Sequence, residues 1–121
     1  MLKRAVPLLH VSSSAEAEDF YCNRLGFRRH FAYRVDETKA DPCFLGLSRD
    51  GVWLHVSSFS GDGVPGSLVY LLVDDVNALH AELGAQGVTI DAGHPIDQDW
   101  GNREMYLSDP FGNRIRFTQE L

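Results

Sequence analysis

The sequence predicts an α+β protein built from two βαβββ modules whose strands form a curled mixed sheet. Two observations lead there. The first is a repeat. A helix-like stretch from Ser13 to Arg24 exits through Leu25-Gly26-Phe27, and the same half ends in Leu47-Ser48-Arg49-Asp50-Gly51 followed by Val52-Trp53-Leu54-His55-Val56. A second helix-like stretch, Val76 to Gln86, exits through Gly87-Val88, and its half ends in Leu107-Ser108-Asp109-Pro110-Phe111-Gly112 followed by Ile115-Arg116-Phe117. The copies are offset by roughly 60 residues, too long for a solenoid unit and too few for an array. The second observation is the order of elements, in which short strands joined by tight turns follow each helix, as antiparallel hairpins require.

Taken in order, Ala5 to Val11 is predicted as the first strand. Ser13 with Glu16 fits a capping box, and Glu16, Glu18 and Asp19 suit the positive end of a helix. Ala17, Phe20, Tyr21 and Leu25 recur at helical spacing, and Gly26 ends the helix. Phe27 to Tyr33 is the next strand, and Arg34 to Pro42 is a polar loop. Phe44 to Ser48 and Val52 to Ser57 form a hairpin around Arg49-Asp50-Gly51. A linker rich in Gly and Pro, about residues 59–66, separates the modules, placed at about 1–58 and 67–121 of a single domain. Leu68 to Val73 is an apolar strand. Asp74 or Asp75 caps the second helix, whose apolar face is expected to be Val76, Leu79, Ala81 and Leu83. Val88 to Ala92 reads as a strand, and Gly93 to Gly101 as irregular chain. Arg103 to Leu107 and Asn113 to Gln119 close the fold as a hairpin.

The composition fits one ordinary globular domain, with 44% hydrophobic and 23% charged residues. No apolar run approaches the ~20 residues of a membrane helix, and the apolar stretch after Met1-Leu2-Lys3-Arg4 is too short for a secretory signal. A cytoplasmic protein with no membrane partner is expected. The net charge of −6 argues against nucleic acid, which needs a basic face. It favours a neutral or cationic small ligand. Cys22 and Cys43 lie in different elements without CxxC spacing and are expected to be reduced thiols.

Two segments carry a family resemblance. Phe20-Tyr21 with Arg24-Leu25-Gly26-Phe27 resembles the first helix and exit of the vicinal oxygen chelate superfamily. Asp109-Pro110-Phe111-Gly112-Asn113 resembles its DPxGN hairpin. That superfamily includes glyoxalase I, extradiol dioxygenases and antibiotic-binding resistance proteins, so the glyoxalase/bleomycin-resistance fold is implied. Asp99-Trp100-Gly101-Asn102-Arg103-Glu104 resembles the WG-x-RE segment of bleomycin-resistance proteins. These are non-enzymatic homodimers that sequester a cationic glycopeptide antibiotic in grooves at the subunit interface. The resemblance implies that Trp100 stacks on the ligand, that Phe31 and Phe44 match pocket aromatics, and that Tyr70 matches an aromatic of the second half's first strand.

Enzymes of the superfamily hold a divalent metal with His and Glu side chains. The matching positions fall near Val6, His55, Leu68 and Arg116, and three of these four cannot ligate a metal. No metal, no other cofactor and no catalytic residue is therefore assigned. GxSxG, P-loop and GxGxxG motifs are absent as well. Period two places Trp53 on the same strand face as His55. Trp100 stands in a polar loop, where a large flat face suits stacking. Asp97 and Asp99 beside it would attract a cationic ligand. The expected ligand-binding set is Phe31, Phe44, Trp53, His55, Tyr70, Asp97, Asp99 and Trp100. The expected function is non-catalytic sequestration of bleomycin-type antibiotics by a homodimer. The alternatives are a metal-dependent glyoxalase-like lyase or dioxygenase, drawing on His10, His55 and Glu104, and a binder of another planar metabolite.

Overall fold

A computed structural model describes all residues from Met1 to Leu121. The elements follow the predicted order twice. β1 (Leu8–His10), α1 (Ser14–Glu18), β2 (Arg28–Tyr33), β3 (Phe44–Arg49) and β4 (Val52–Ser57) form the first set. β5 (Leu68–Leu72), α2 (Val76–Ala85), β6 (Ile96–Asp97), β7 (Asn102–Ser108) and β8 (Arg114–Glu120) form the second. The two four-stranded sheets have the same topology, β1-β4-β3-β2 and β5-β8-β7-β6. In each, the first strand runs parallel to the last and the remaining pairs are antiparallel. No helix is long and apolar enough to cross a membrane.

Each sheet turns one face inward. Leu45, Leu47, Leu54 and Val56 from the first meet Val69, Met105, Leu107, Ile115 and Phe117 from the second in one buried cluster, to which Ala17, Phe20, Tyr21, Val76 and Leu83 add the helices. Period two then sends the alternate residues of every strand to the opposite, outer face. Cys22 and Cys43 are free thiols, with Cys43 buried.

Local chemistry sets the boundaries. The Ser13 hydroxyl accepts from the Glu16 N–H, and the Asp75 carboxylate accepts from that of Ala78, so both helices start on side-chain caps. Gly26 and Gly87 follow the helical segments with φ of +78° and +75°, a conformation other residues adopt only with strain. The β3–β4 turn has positive φ at both Asp50 and Gly51, as a tight hairpin requires.

Three expectations are corrected. The first helix is regular only from Ser14 to Glu18 and continues as a wider π-helical turn over Asp19–Arg24, where the Leu25 N–H bonds five residues back to Phe20. The wide turn lets the adjacent rings of Phe20 and Tyr21 both face the core, perpendicular and 5.1 Å apart. Val88 to Ala92 is not a strand. Ile90 is buried by packing, Ala92 adopts φ of +63°, and pairing resumes only at β6. Ala81 is exposed, so the buried stripe of α2 is Val76, Leu79 and Leu83.

The Asp109-to-Asn113 segment joins the two halves. The Asp109 carboxylate accepts from the Tyr21 hydroxyl (2.6 Å), the backbone N–H groups of Phe111 (2.9 Å) and Asn113 (2.8 Å), and the Asn113 amide (2.9 Å). The Asn113 amide also donates to the His10 carbonyl at 2.8 Å. Burial, then the Asp109 charge, push the Tyr21 phenol far above its ordinary pKa, so it remains a donor. On the other side, Arg49 makes a two-pronged contact with Glu82 (2.7 and 2.8 Å) and donates to the Leu25 carbonyl.

Candidate functional site: the outer faces of the two sheets

The outer face of the first sheet is a continuous aromatic surface. Its members come from the alternate positions of three neighbouring strands. Phe31 on β2 stacks parallel to Phe44 on β3, with centroids 6.1 Å apart. His55 on β4 lies edge-on to both, at 5.8 and 5.0 Å. Trp53 stands two residues away on the same face, 6.3 Å from His55 and 4.3 Å from His30. Phe31 can lie flat because Gly46 has no side chain. A Cβ there would fall 2.2 Å from the ring. The ring nonetheless remains 43% exposed, a large apolar face open to solvent.

Charge on this face is low. Burial, then nearby Arg4, depress the His55 pKa, so at neutral pH it enters the cluster as an uncharged ring. The Arg4 guanidinium lies 4.4 Å over the Trp53 ring.

The second sheet presents Leu68, Tyr70 and Leu72 from β5, Tyr106 from β7 and Arg116 from β8. Arg116 is opposite Tyr70 on one side and Tyr106 on the other. Its guanidinium lies 5.5 and 4.8 Å from the two ring centroids. Glu104 shares this side of β7 but is fully covered, accepting from Thr118 (3.0 Å) and from the Tyr106 hydroxyl (3.2 Å). Burial and the bond to Glu104 raise the Tyr106 pKa and keep it a donor.

The expected site residues thus separate into groups. Phe31, Phe44, Trp53 and His55 are together on the first sheet. Tyr70 is on the second, where its hydroxyl accepts from Asn102 at 3.3 Å. Trp100 and Asp99 occupy the tip of the β6–β7 hairpin, with Trp100 62% exposed. Asp97 is held in an ion pair with Arg103 at 2.6 Å, which lowers its pKa. Arg4, Tyr106 and Arg116 also stand beside these rings, and the sequence reading does not place them there. Tyr106 and Arg116 lie outward by simple alternation and could have been found by pairing the last hairpin. Arg4 lies in no element, so no periodicity points to it.

The superfamily's metal does not fit these residues. Val6 and Leu68 offer no donor, Arg116 is a cation, and the neighbours of His55 are aromatic rings. No three His, Cys, Asp or Glu side chains converge as a metal site would need. The outer faces are open surfaces and not cavities. A partly open, mostly apolar cleft of about 670 Å³ lies elsewhere, between α2, β5 and the β3–β4 turn, and touches the site only through Tyr70 and Leu72. Its lining is mostly apolar, with Phe27, Tyr70 and Phe117 as its aromatic members, and carries Arg49 and several acids.

The fold is shared widely among solved structures. A member of the glyoxalase/bleomycin resistance protein/dioxygenase superfamily from Sphaerobacter thermophilus is 28% identical, covers 99% of this chain and 98% of its own, and superposes with a TM-score of 0.76. TnmS3, an antibiotic-binding protein from Streptomyces sp. CB03234, is also 28% identical, over 100% of this chain and 99% of its own, with a TM-score of 0.74. A bleomycin-binding protein in complex with bleomycin has the same fold at 22% identity and a TM-score of 0.77, covering 99% of this chain and 100% of its own. None of the curated proteins matches the chain. The profile of glyoxalase superfamily proteins matches residues 1–121. With paired βαβββ sheets, the DPFGN joint and a match over its whole length, this chain belongs to the glyoxalase superfamily.

Proposed function

We propose that this protein is a non-catalytic binder that sequesters flat small molecules, bleomycin-type antibiotics being one candidate class, in aromatic grooves completed by a second copy of the chain. The observation that carries the proposal is the open ring surface of Phe31, Phe44, Trp53 and His55. Such a face offers stacking area on side chains that lose little freedom on binding. The replaced metal positions agree with binding without bond making. So does the likeness to an antibiotic-binding protein at 28% identity. Each chain exposes apolar residues on both outer faces, and pairing of two copies would bury part of that surface.

Titration with metal-free and copper-loaded bleomycin, followed by tryptophan fluorescence, tests this. Saturable quenching at one drug per chain, weakened in Trp100→Ala, is expected. If bleomycin fails, anthraquinone and other flat aromatic antibiotics are titrated in the same way. No saturable response to any of them would reject the binding function.

A further inference from the structure

We propose that Arg116 is an anion-recognition residue, and that the ligand of the outer faces carries a carboxylate or phenolate that it engages. The inference rests on the binding function proposed above and specifies the chemistry of the ligand.

Arg116 is the one side chain with a buried polar atom lacking a hydrogen-bond partner, its Nε. It forms none of the molecule's ion pairs. The other charges nearby are already engaged. Arg114 pairs with Asp91. Glu104 is occupied by Thr118 and Tyr106. The guanidinium is nevertheless held in place, with the rings of Tyr70 and Tyr106 on either side of it in the sheet. A planar cation held between two rings, with no ion pair in the protein, is a preorganised half of a carboxylate contact made through its outward N–H groups. None of the guanidinium N–H groups bonds to the protein, and those other than the buried Nε remain available to a ligand oxygen.

The same arrangement disfavours a cationic group at this point. The expectation of a cationic ligand came from the net charge of −6. On these faces Arg4, Arg114 and Arg116 lie over aromatic rings, Arg114 is paired with Asp91, and the one acid on this side of β7, Glu104, is covered. Local charge decides recognition at contact, while net charge acts at long range. A flat molecule with an acidic edge would therefore stack on rings while its anion reaches Arg116.

The test compares 9-anthracenecarboxylate with its neutral carboxamide at pH 7.5, by fluorescence titration of the full chain. Wild type is expected to bind the carboxylate about tenfold or more tightly than the amide, the scale of a charge-assisted two-pronged contact. Arg116→Met should remove that preference and leave amide affinity within about twofold. Arg116→Lys should restore part of it, which a purely structural role would not produce. Equal binding of the two probes by wild type, or a carboxylate preference that survives Arg116→Met, overturns the proposal while the binding function stands. Failure of wild type to bind either probe overturns the proposal, and the binding function falls with it only if bleomycin and the other flat antibiotics fail as well. A preference unchanged in Arg116→Met while dimer mass falls in ultracentrifugation would assign Arg116 to subunit contact instead.

Discussion

Asp109→Ala is expected to destabilise the protein by about 3–5 kcal/mol, read as a shift in the urea midpoint at constant slope. The carboxylate is buried and accepts four hydrogen bonds, one of them from Tyr21 in the other half of the chain. Alanine removes the acceptor and leaves four donors inside the fold, and each unanswered group costs about 1–3 kcal/mol before relaxation. The losses will not add fully, because the donors share one site and water can enter. Tyr21→Phe is the informative control. It removes only the cross-half donor and should cost about 1–2 kcal/mol. Equal stability of Asp109→Ala and wild type would show that the DPFGN segment is not the joint between the sheets.

Phe31→Ala and Gly46→Ala should reduce affinity for any flat ligand that saturates the wild type by about tenfold or more each, for opposite steric reasons. Phe31→Ala deletes the ring that stacks on Phe44. Gly46→Ala fills the space beneath that ring, with a new Cβ 2.2–2.8 Å from three of its atoms. Phe31 is half-exposed and can swing out, so the cost of Gly46→Ala to stability should fall near 1 kcal/mol, at the low end for overpacking. Agreement of the two variants in affinity would show that the position of the Phe31 ring matters, and not merely its presence. Full affinity in both would remove Phe31 from the binding surface.

Much of the fold was legible because it follows from local rules. Ser13 and Asp75 are caps by chemistry, and Asp50-Gly51 is a hairpin by conformation. The alternation of Trp53-Leu54-His55-Val56 predicts which side chains share a face, and Trp53 and His55 do. What failed depends on tertiary packing. The π-helical turn at Asp19–Arg24 answers the need to bury two adjacent rings, which a 3.6-residue period does not express. Val88 and Ile90 looked like a strand because they are apolar and alternate, yet packing and not pairing accounts for them. At the site, residue identity showed which rings were available but not how charge is arranged. In sequence Asp97 reads as free to meet a cationic ligand, because its partner Arg103, six residues along the chain, is reached only through the β6–β7 hairpin. In sequence Arg116 reads only as a cation at a metal-ligand position, because its setting between Tyr70 and Tyr106 is created by register across three strands.

The most direct measurement of the central claim is a map of backbone amide shifts as a saturating flat ligand is added to the labelled protein. The account predicts perturbations concentrated on β2, β3 and β4 around Phe31, Phe44, Trp53 and His55, and on β5, β7 and β8 around Tyr70, Tyr106 and Arg116. Perturbations concentrated instead at Leu79, Glu82 and Asp74, in the cleft beside α2, would contradict it and place the ligand in that cleft rather than on the aromatic faces.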